Sequence, residues 1–174
     1  MIEIEKLVQV KAFARMDALL LTLLWTASFL TNIYMPSSIL GNLLALSTPF
    51  LLVIRVCTFR DRVLDGSISF RRAYAFCAYT CLYASLLFAL LQFAYLSFVH
   101  DSAFCALIDE AMEQMKLIYE QSGMEQADID ESISIISNMT PIQWALVFML
   151  QNILTGAVTS LIAAAFGRKK RISA

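Results

Sequence analysis

Four long apolar blocks alternate with polar stretches along the chain, and the pattern predicts four membrane-spanning α-helices. The first block runs from Ala18 to Met35 (18–35) without a charged residue. As a helix it is about 27 Å long, close to the roughly 30 Å of a bilayer's hydrocarbon core. Pro36, Ser37 and Ser38 form an uncharged turn, and a second block follows over 39–57. Pro49 lies inside it and is expected to kink that helix, because proline lacks the N–H and clashes one turn back. Arg55 sits in its last turn, placed to snorkel toward headgroups. A polar loop, 58–72, leads to a third block over 73–99, and the fourth block spans 142–166. Ahead of the first block, residues 1–17 mix Glu3, Glu5, Lys6, Lys11, Arg15 and Asp17 with Ile2, Ile4, Leu7, Val10 and Phe13. They read as a short interfacial helix leading into the span. A cleaved signal peptide is the rival reading, but the charged lead is long and partly acidic, and no A-x-A site follows.

The stretch 100–140 differs in kind. Asp101, Asp109, Glu110, Glu113, Glu120, Glu125, Asp128, Asp130 and Glu131 face a single Lys116. Its apolar residues recur at helical spacing, Leu107, Ala111, Met115 and Ile118, then Ile129, Ile133 and Ile136, with Gly123 between the runs. Two amphipathic helices fit this pattern, as an acidic extracytoplasmic hairpin or as a continuation of the third span with a returning helix. Thr140-Pro141-Ile142-Gln143 then has the make-up of a capping box with proline at the first helical position. The expected fold is all-α: one polytopic membrane domain over 1–174, four spans, and the acidic hairpin between the third and fourth.

Composition supports a bilayer over an unusually large soluble core. The 174 residues are 59% hydrophobic and 16% charged, against about 45–50% and about 25% in soluble domains; the mean hydropathy is +0.69. Charge placement sets an orientation, since cationic residues beside a span resist translocation. Lys6, Lys11 and Arg15 precede the first span. Arg55, Arg60, Arg62, Arg71 and Arg72 lie at the second connection. Arg168, Lys169, Lys170 and Arg171 end the chain. With both termini cytoplasmic, twelve of the thirteen Lys and Arg stay inside. Tyr34 and Trp144 then both fall at the outer interface, where amphipathic rings settle.

Candidate chemistry is sparse. No Asp, Glu, Lys or His falls between these boundaries, which argues against a proton path or a charge-lined pore but leaves one lined by hydroxyls and amides open. Asn32, Asn42, Gln92, Gln151 and Asn152 are expected to hydrogen-bond between helices. Asn152, Gly156, Ser160 and Ala164, four residues apart, form a small polar stripe suited to close packing, within the bundle or between two copies. His100-Asp101 is the single meeting of histidine with carboxylate. Cys77 and Cys81 share a helix face without further ligands, and Cys57, Cys77, Cys81 and Cys105 form no CxxC framework, although Cys105 sits where an intermolecular bridge is conceivable. The acidic segment lacks the alternating spacing of a calcium loop. Asn138-Met139-Thr140 matches a glycosylation acceptor weakened by Pro141. No cofactor, metal or catalytic residue is expected, and no nucleic-acid partner. The cytoplasmic arginines set topology and suit anionic headgroups.

The loop residues Phe59-Arg60-Asp61 and Asp65-Gly66-Ser67-Ile68-Ser69-Phe70, with Ala73, resemble a family of small bacterial inner-membrane proteins known as a domain of unknown function. Ala111-Met112-Glu113-Gln114-Met115 and Gly123-Met124-Glu125-Gln126 are also similar to it. The resemblance covers roughly residues 18 to 171 and implies four spans and a bacterial cytoplasmic membrane. It brings no activity. Within the motif, Gly66 suits a turn, Ser69 an N-cap and Phe70 an interfacial anchor. The functional expectation is a non-enzymatic scaffold, assembly or regulatory subunit whose partners are the bilayer and a second membrane protein or a second copy. The alternative is a small oligomeric transporter or channel. An intramembrane lipid enzyme ranks last, with only His100-Asp101 and Arg60-Asp61-Arg62 at suitable depth.

Overall fold

The computed structural model describes residues 2–99, 102–121 and 126–169, with side chains described over 8–99, 104–119 and 131–169. The order is α1 (Ile2–Tyr34), α2 (Leu40–Leu46), α3 (Thr48–Val63), α4 (Phe70–Phe98), α5 (Ser102–Gln121), α6 (Gln126–Ser137) and α7 (Pro141–Gly167). Four stretches are long and apolar enough to cross a membrane: Val8–Tyr34, Leu40–Val63, Phe70–Phe98 and Pro141–Gly167. The fold is all-α, as the apolar periodicity requires.

The charged lead is not a separate interfacial helix. α1 runs unbroken because no Gly or Pro interrupts it and its apolar face continues upstream of Ala18. Val10, Ala14, Ala18, Leu21 and Trp25 lie on one buried stripe. Asp17 therefore falls inside the span rather than before it. Arg55 of α3 does not reach for headgroups. It turns inward and donates from Nη2 to Asp17 Oδ1, with Asp17 only 6% exposed.

The second span is interrupted for one residue, at Ser47, two positions before Pro49, where the sequence predicts a kink. α2 ends at Ser47, whose hydroxyl donates to Leu44 O at 2.6 Å. Pro49 sits in the first turn of α3, where its missing N–H costs nothing. The break redirects the chain: α2 packs on α1, whereas α3 packs chiefly on α7. α3 continues through Phe59, Arg60 and Asp61, so the connection to α4 is only Leu64 to Ser69. Asp65 and Gly66 turn there with φ of 51° and 79°. Ser69 Oγ accepts from the Arg72 N–H at 3.4 Å, the expected cap.

α4 is the central helix, flanked by α1 and α7. The core gathers at the end of the bundle that carries the basic residues: Leu21 from α1, Leu52 and Val56 from α3, Phe76 and Cys77 from α4, Ala163 and Ala164 from α7. Phe59 stacks on Phe76 with centroids 4.6 Å apart. At the opposite, acidic end α7 begins with Pro141, and Gln143 Oε1 accepts from the Thr140 backbone N–H at 2.7 Å and hydroxyl at 2.8 Å. α5 and α6 pack on each other there, and α5 also touches α1.

Candidate functional site

Because α2 leans on α1 while α3 leans on α7, the acidic half of the bundle is left split. Among the described residues α2 and α7 do not touch. Between them lies a cleft of about 450 Å³. α1 supplies Trp25, Ser28, Phe29 and Asn32, at helical spacings that place all four on one face. α7 supplies Phe148, Gln151, Asn152, Thr155 and Thr159. The helix break gives Leu46, Thr48 and Pro49, and the floor is Phe88 and Gln92 of α4. None of the lining residues is ionisable. Gln151, Thr155 and Leu46 are exposed, so the cleft opens sideways at bilayer depth.

Three hydroxyl groups of this cleft donate to backbone carbonyls, and a fourth accepts a hydrogen bond. Ser28 Oγ donates to Gly41 O at 2.8 Å. Thr155 and Thr159 donate to Gln151 O and Thr155 O at 2.8 and 2.9 Å. Thr48 Oγ1 accepts from Trp25 Nε1 at 3.0 Å. Gln92 is 2% exposed, and its Oε1 has no hydrogen-bond partner among the described residues. Buried polar atoms are ordinarily paired, and in a bilayer an orphan acceptor costs more than in water. Among the described residues Asn32, Gln151 and Asn152 do not form the expected interhelical bonds; these amides gather around the cleft instead, while Asn42 is exposed.

The small stripe of α7 lies against α4. Gly156, Ser160 and Ala164 are buried, and Asn152 borders the cleft. A Cβ added to Gly156 would sit 2.7 Å from Cys81 Cβ, and Ser160 Oγ lies 3.8 Å from Cys81 Sγ. Gly167 lies as close to the Val56 side chain.

The loop motif forms a clasp at the basic end. Arg60 Nη1 donates to Gly167 O at 3.0 Å, closing the carbonyl end of α7. Asp61 holds the same guanidinium through Nε and Nη2 at 2.7 and 2.9 Å. Ile68 and Lys169 exchange two backbone bonds at 2.9 and 3.1 Å. Phe59 is buried under Phe76, and Arg72 reaches Gln9 at 2.8 Å and lies over Phe59. Lys11 and Arg15 lie over the rings of Tyr79 and Tyr83. Phe70 is 37% exposed at the helix start.

A second cavity, about 460 Å³, lies at the acidic end beneath α5 and α6. Leu96, Phe104, Ile108, Met112 and Trp144 make it mostly apolar, with Cys105 and Asp109 at its edge. Trp144 packs between Phe104 and Phe148. Tyr95 and Tyr34 join their hydroxyls at 3.0 Å near the same end. Cys57, Cys77, Cys81 and Cys105 are free thiols, Cys105 exposed. Among the described residues no three His, Cys, Asp or Glu side chains group as a metal site. His100-Asp101, the Gly123-Met124-Glu125 stretch, Lys170 and Arg171 lie outside the described residues.

The sequence alone passed over Asp17, Trp25, Ser28, Thr48, Thr155 and Thr159. The signal was present in part: Trp25, Ser28, Phe29 and Asn32, and Gln151, Thr155 and Thr159, recur at three- and four-residue steps. Only the break at Ser47 brings the two rows to one opening.

Four apolar helices, polar connections and a clasped basic end define a multi-pass integral membrane protein. The family model described as "Protein of unknown function (DUF4199)" matches residues 17–169, and the chain belongs to that family. Neither the curated proteins nor the solved structures yield a match.

Proposed function

We propose that the protein is a non-enzymatic subunit of a bacterial cytoplasmic membrane, with both termini cytoplasmic, acting by binding another membrane component through its acidic α5–α6 pair. The observation carrying this reading is the surface of that pair. α5 and α6 are amphipathic, yet Leu117 and Ile135 remain 58% and 62% exposed beside Glu110, Glu113 and Glu131. A charged surface broken by large apolar side chains is the make-up of a protein-binding face. The basic residues at the opposite end favour the orientation that leaves this face outside the cell.

A photo-crosslinking amino acid at Leu117, in native membranes, tests the reading. A discrete adduct to one membrane protein is expected, absent when the crosslinker replaces lipid-facing Val158. Recovery of the chain as a lone monomer, with no adduct from Leu117, would contradict it. A second reading, a small carrier that works as an oligomer, is favoured by the uncharged polar cleft. Solute flux above that of empty proteoliposomes would select it.

A further inference from the structure

We propose that the outer groove between α1 and α4 binds one anionic phospholipid, a glycerophospholipid whose phosphate carries no compensating ammonium. Two matched pairs form the groove. Lys11 Nζ lies 5.1 Å from the centre of the Tyr79 ring, and Arg15 Cζ lies 5.5 Å from that of Tyr83. The cations stand one turn apart on α1, and the tyrosines one turn apart on α4. The two rings stack, with centroids 6.2 Å apart and planes 22° from parallel. Arg15 is exposed and the other three side chains are half-buried, so the ladder faces outward.

Charge chooses the occupant. Among the described residues neither cation meets a carboxylate. α4 contains no Asp or Glu, and none stands three or four positions from Lys11 or Arg15. Asp17 is near in sequence, but two residues on is about 200° around the helix, and Arg55 takes it there. Two like charges one turn apart repel, and more so at the edge of a low-dielectric bilayer. The ring faces attract each cation but bring no net charge. A phosphate shared by the two cations removes the repulsion. A zwitterionic head carries its own ammonium and does so less well.

Depth favours a lipid over a free anion. Thr22 Oγ1 lies 3.5 Å from Ala84 O, and Tyr34 meets Tyr95 further on, so α1 and α4 run parallel with Thr22 beside Ala84. Arg15, seven residues before Thr22, is thus about 10 Å in from the start of α4, and Lys11 about 4–5 Å. At 29 residues α4 is about 43 Å long, roughly 13 Å more than a bilayer's hydrocarbon core. Shared between both ends, the surplus sets the hydrocarbon edge about 6–7 Å in from Phe70, between the two cations. Leu19 and Leu23 continue the row of Lys11 and Arg15, and Leu86 and Leu90 that of the tyrosines; all four are exposed, where an acyl chain would lie.

Native mass spectrometry of the full-length chain reads the bound lipid. The protein is released from micelles holding equimolar phosphatidylglycerol and phosphatidylcholine with matched acyl chains. One retained phosphatidylglycerol is expected, favoured about fivefold or more over phosphatidylcholine, the effect of one basic residue near a membrane surface. Lys11→Gln with Arg15→Gln should weaken it about tenfold or more. Arg62→Gln with Arg71→Gln removes the same charge from exposed positions at the same end and should leave it almost unchanged. No retained phosphatidylglycerol, equal retention of the two lipids, equal loss in the two double variants, or displacement by millimolar inorganic phosphate would overturn the proposal. If the Lys11 and Arg15 variant does not fold, the two lipids, each with a diazirine in its acyl chain, are compared on the unaltered protein. Phosphatidylglycerol should then label α1 and α4 around Leu19, Leu23 and Leu86, and the same labelling pattern from both lipids would overturn the proposal.

Discussion

The two halves of the bundle are made from the same four chain segments and are built on opposite plans. At the basic end the helices close on small residues. Ala14 and Ala18 of α1, Ala73 of α4 and Ala163 and Ala164 of α7 are fully buried, and Gly167 admits Val56. Several charged groups there have a use: Asp17 takes Arg55, Arg60 caps α7, and Lys11, Arg15 and Arg72 lie over aromatic rings. At the acidic end α2 parts from α7, and amides and hydroxyls line an open cleft. In a bilayer helices gain little from burying apolar surface, so close packing and polar contacts must hold them. The half that closes on small residues is compact, and the half where α2 parts from α7 is split.

The contrast can be broken most forcefully at Gly156, where α7 lies against Cys81. Gly156→Leu forces the backbones apart and should cost about 3 kcal/mol, at the upper end for an overpacked core. Denaturation in mixed detergent micelles reads this directly; an unchanged transition would mean that the two helices are not in contact. Next comes the ion pair. Asp17→Ala leaves Arg55 without its partner, and removal of one partner of a fully buried pair costs about 3–5 kcal/mol. Because Arg55 retains 31% side-chain exposure, about 2 kcal/mol is the expected loss. Asp17→Ala combined with Arg55→Leu should recover most of it, which a double-mutant cycle measures.

Arg60→Ala removes the cap on Gly167 O and loosens the clasp. A loss of about 1 kcal/mol is expected, with faster proteolysis beyond Gly167 in inside-out vesicles. The smallest change should go the other way. Gln92→Leu deletes an orphan acceptor and should stabilise the protein by about 1 kcal/mol or less. A destabilised Gln92→Leu protein would show that Gln92 serves the packing of its half, and the contrast between the ends would fail.

Much of this plan was readable in the residues, and the unread part has a common cause. The four blocks, the Ser69 cap, the Asp65-Gly66 turn and the Pro141 start are local features, set by hydropathy, capping chemistry and backbone sterics. The packing partner of Gly156, the bond from Arg60 to Gly167 and the pairing of Asp17 with Arg55 join positions far apart in the chain. No spacing rule announces them. Pro49 is instructive, because proline signals a disturbed helix but not which way the chain leaves it. The interruption at Ser47 gives the second span two neighbours, α1 and α7, and the cleft lies between them. The loop motif was noticed for its turn and cap, whereas Arg60 and Asp61 prove to belong to the end of α3 and to hold α7.

Which face of the membrane each end meets is the point on which the functional reading rests. Sided thiol labelling answers it. In a protein whose Cys57, Cys77 and Cys81 are alanine, Cys105 marks the acidic end, and Arg62→Cys in a Cys105→Ala version marks the basic end. A membrane-impermeant maleimide added to intact cells should label Cys105, and should label the cysteine at 62 only after permeabilisation. Labelling of both from the same side would contradict the account.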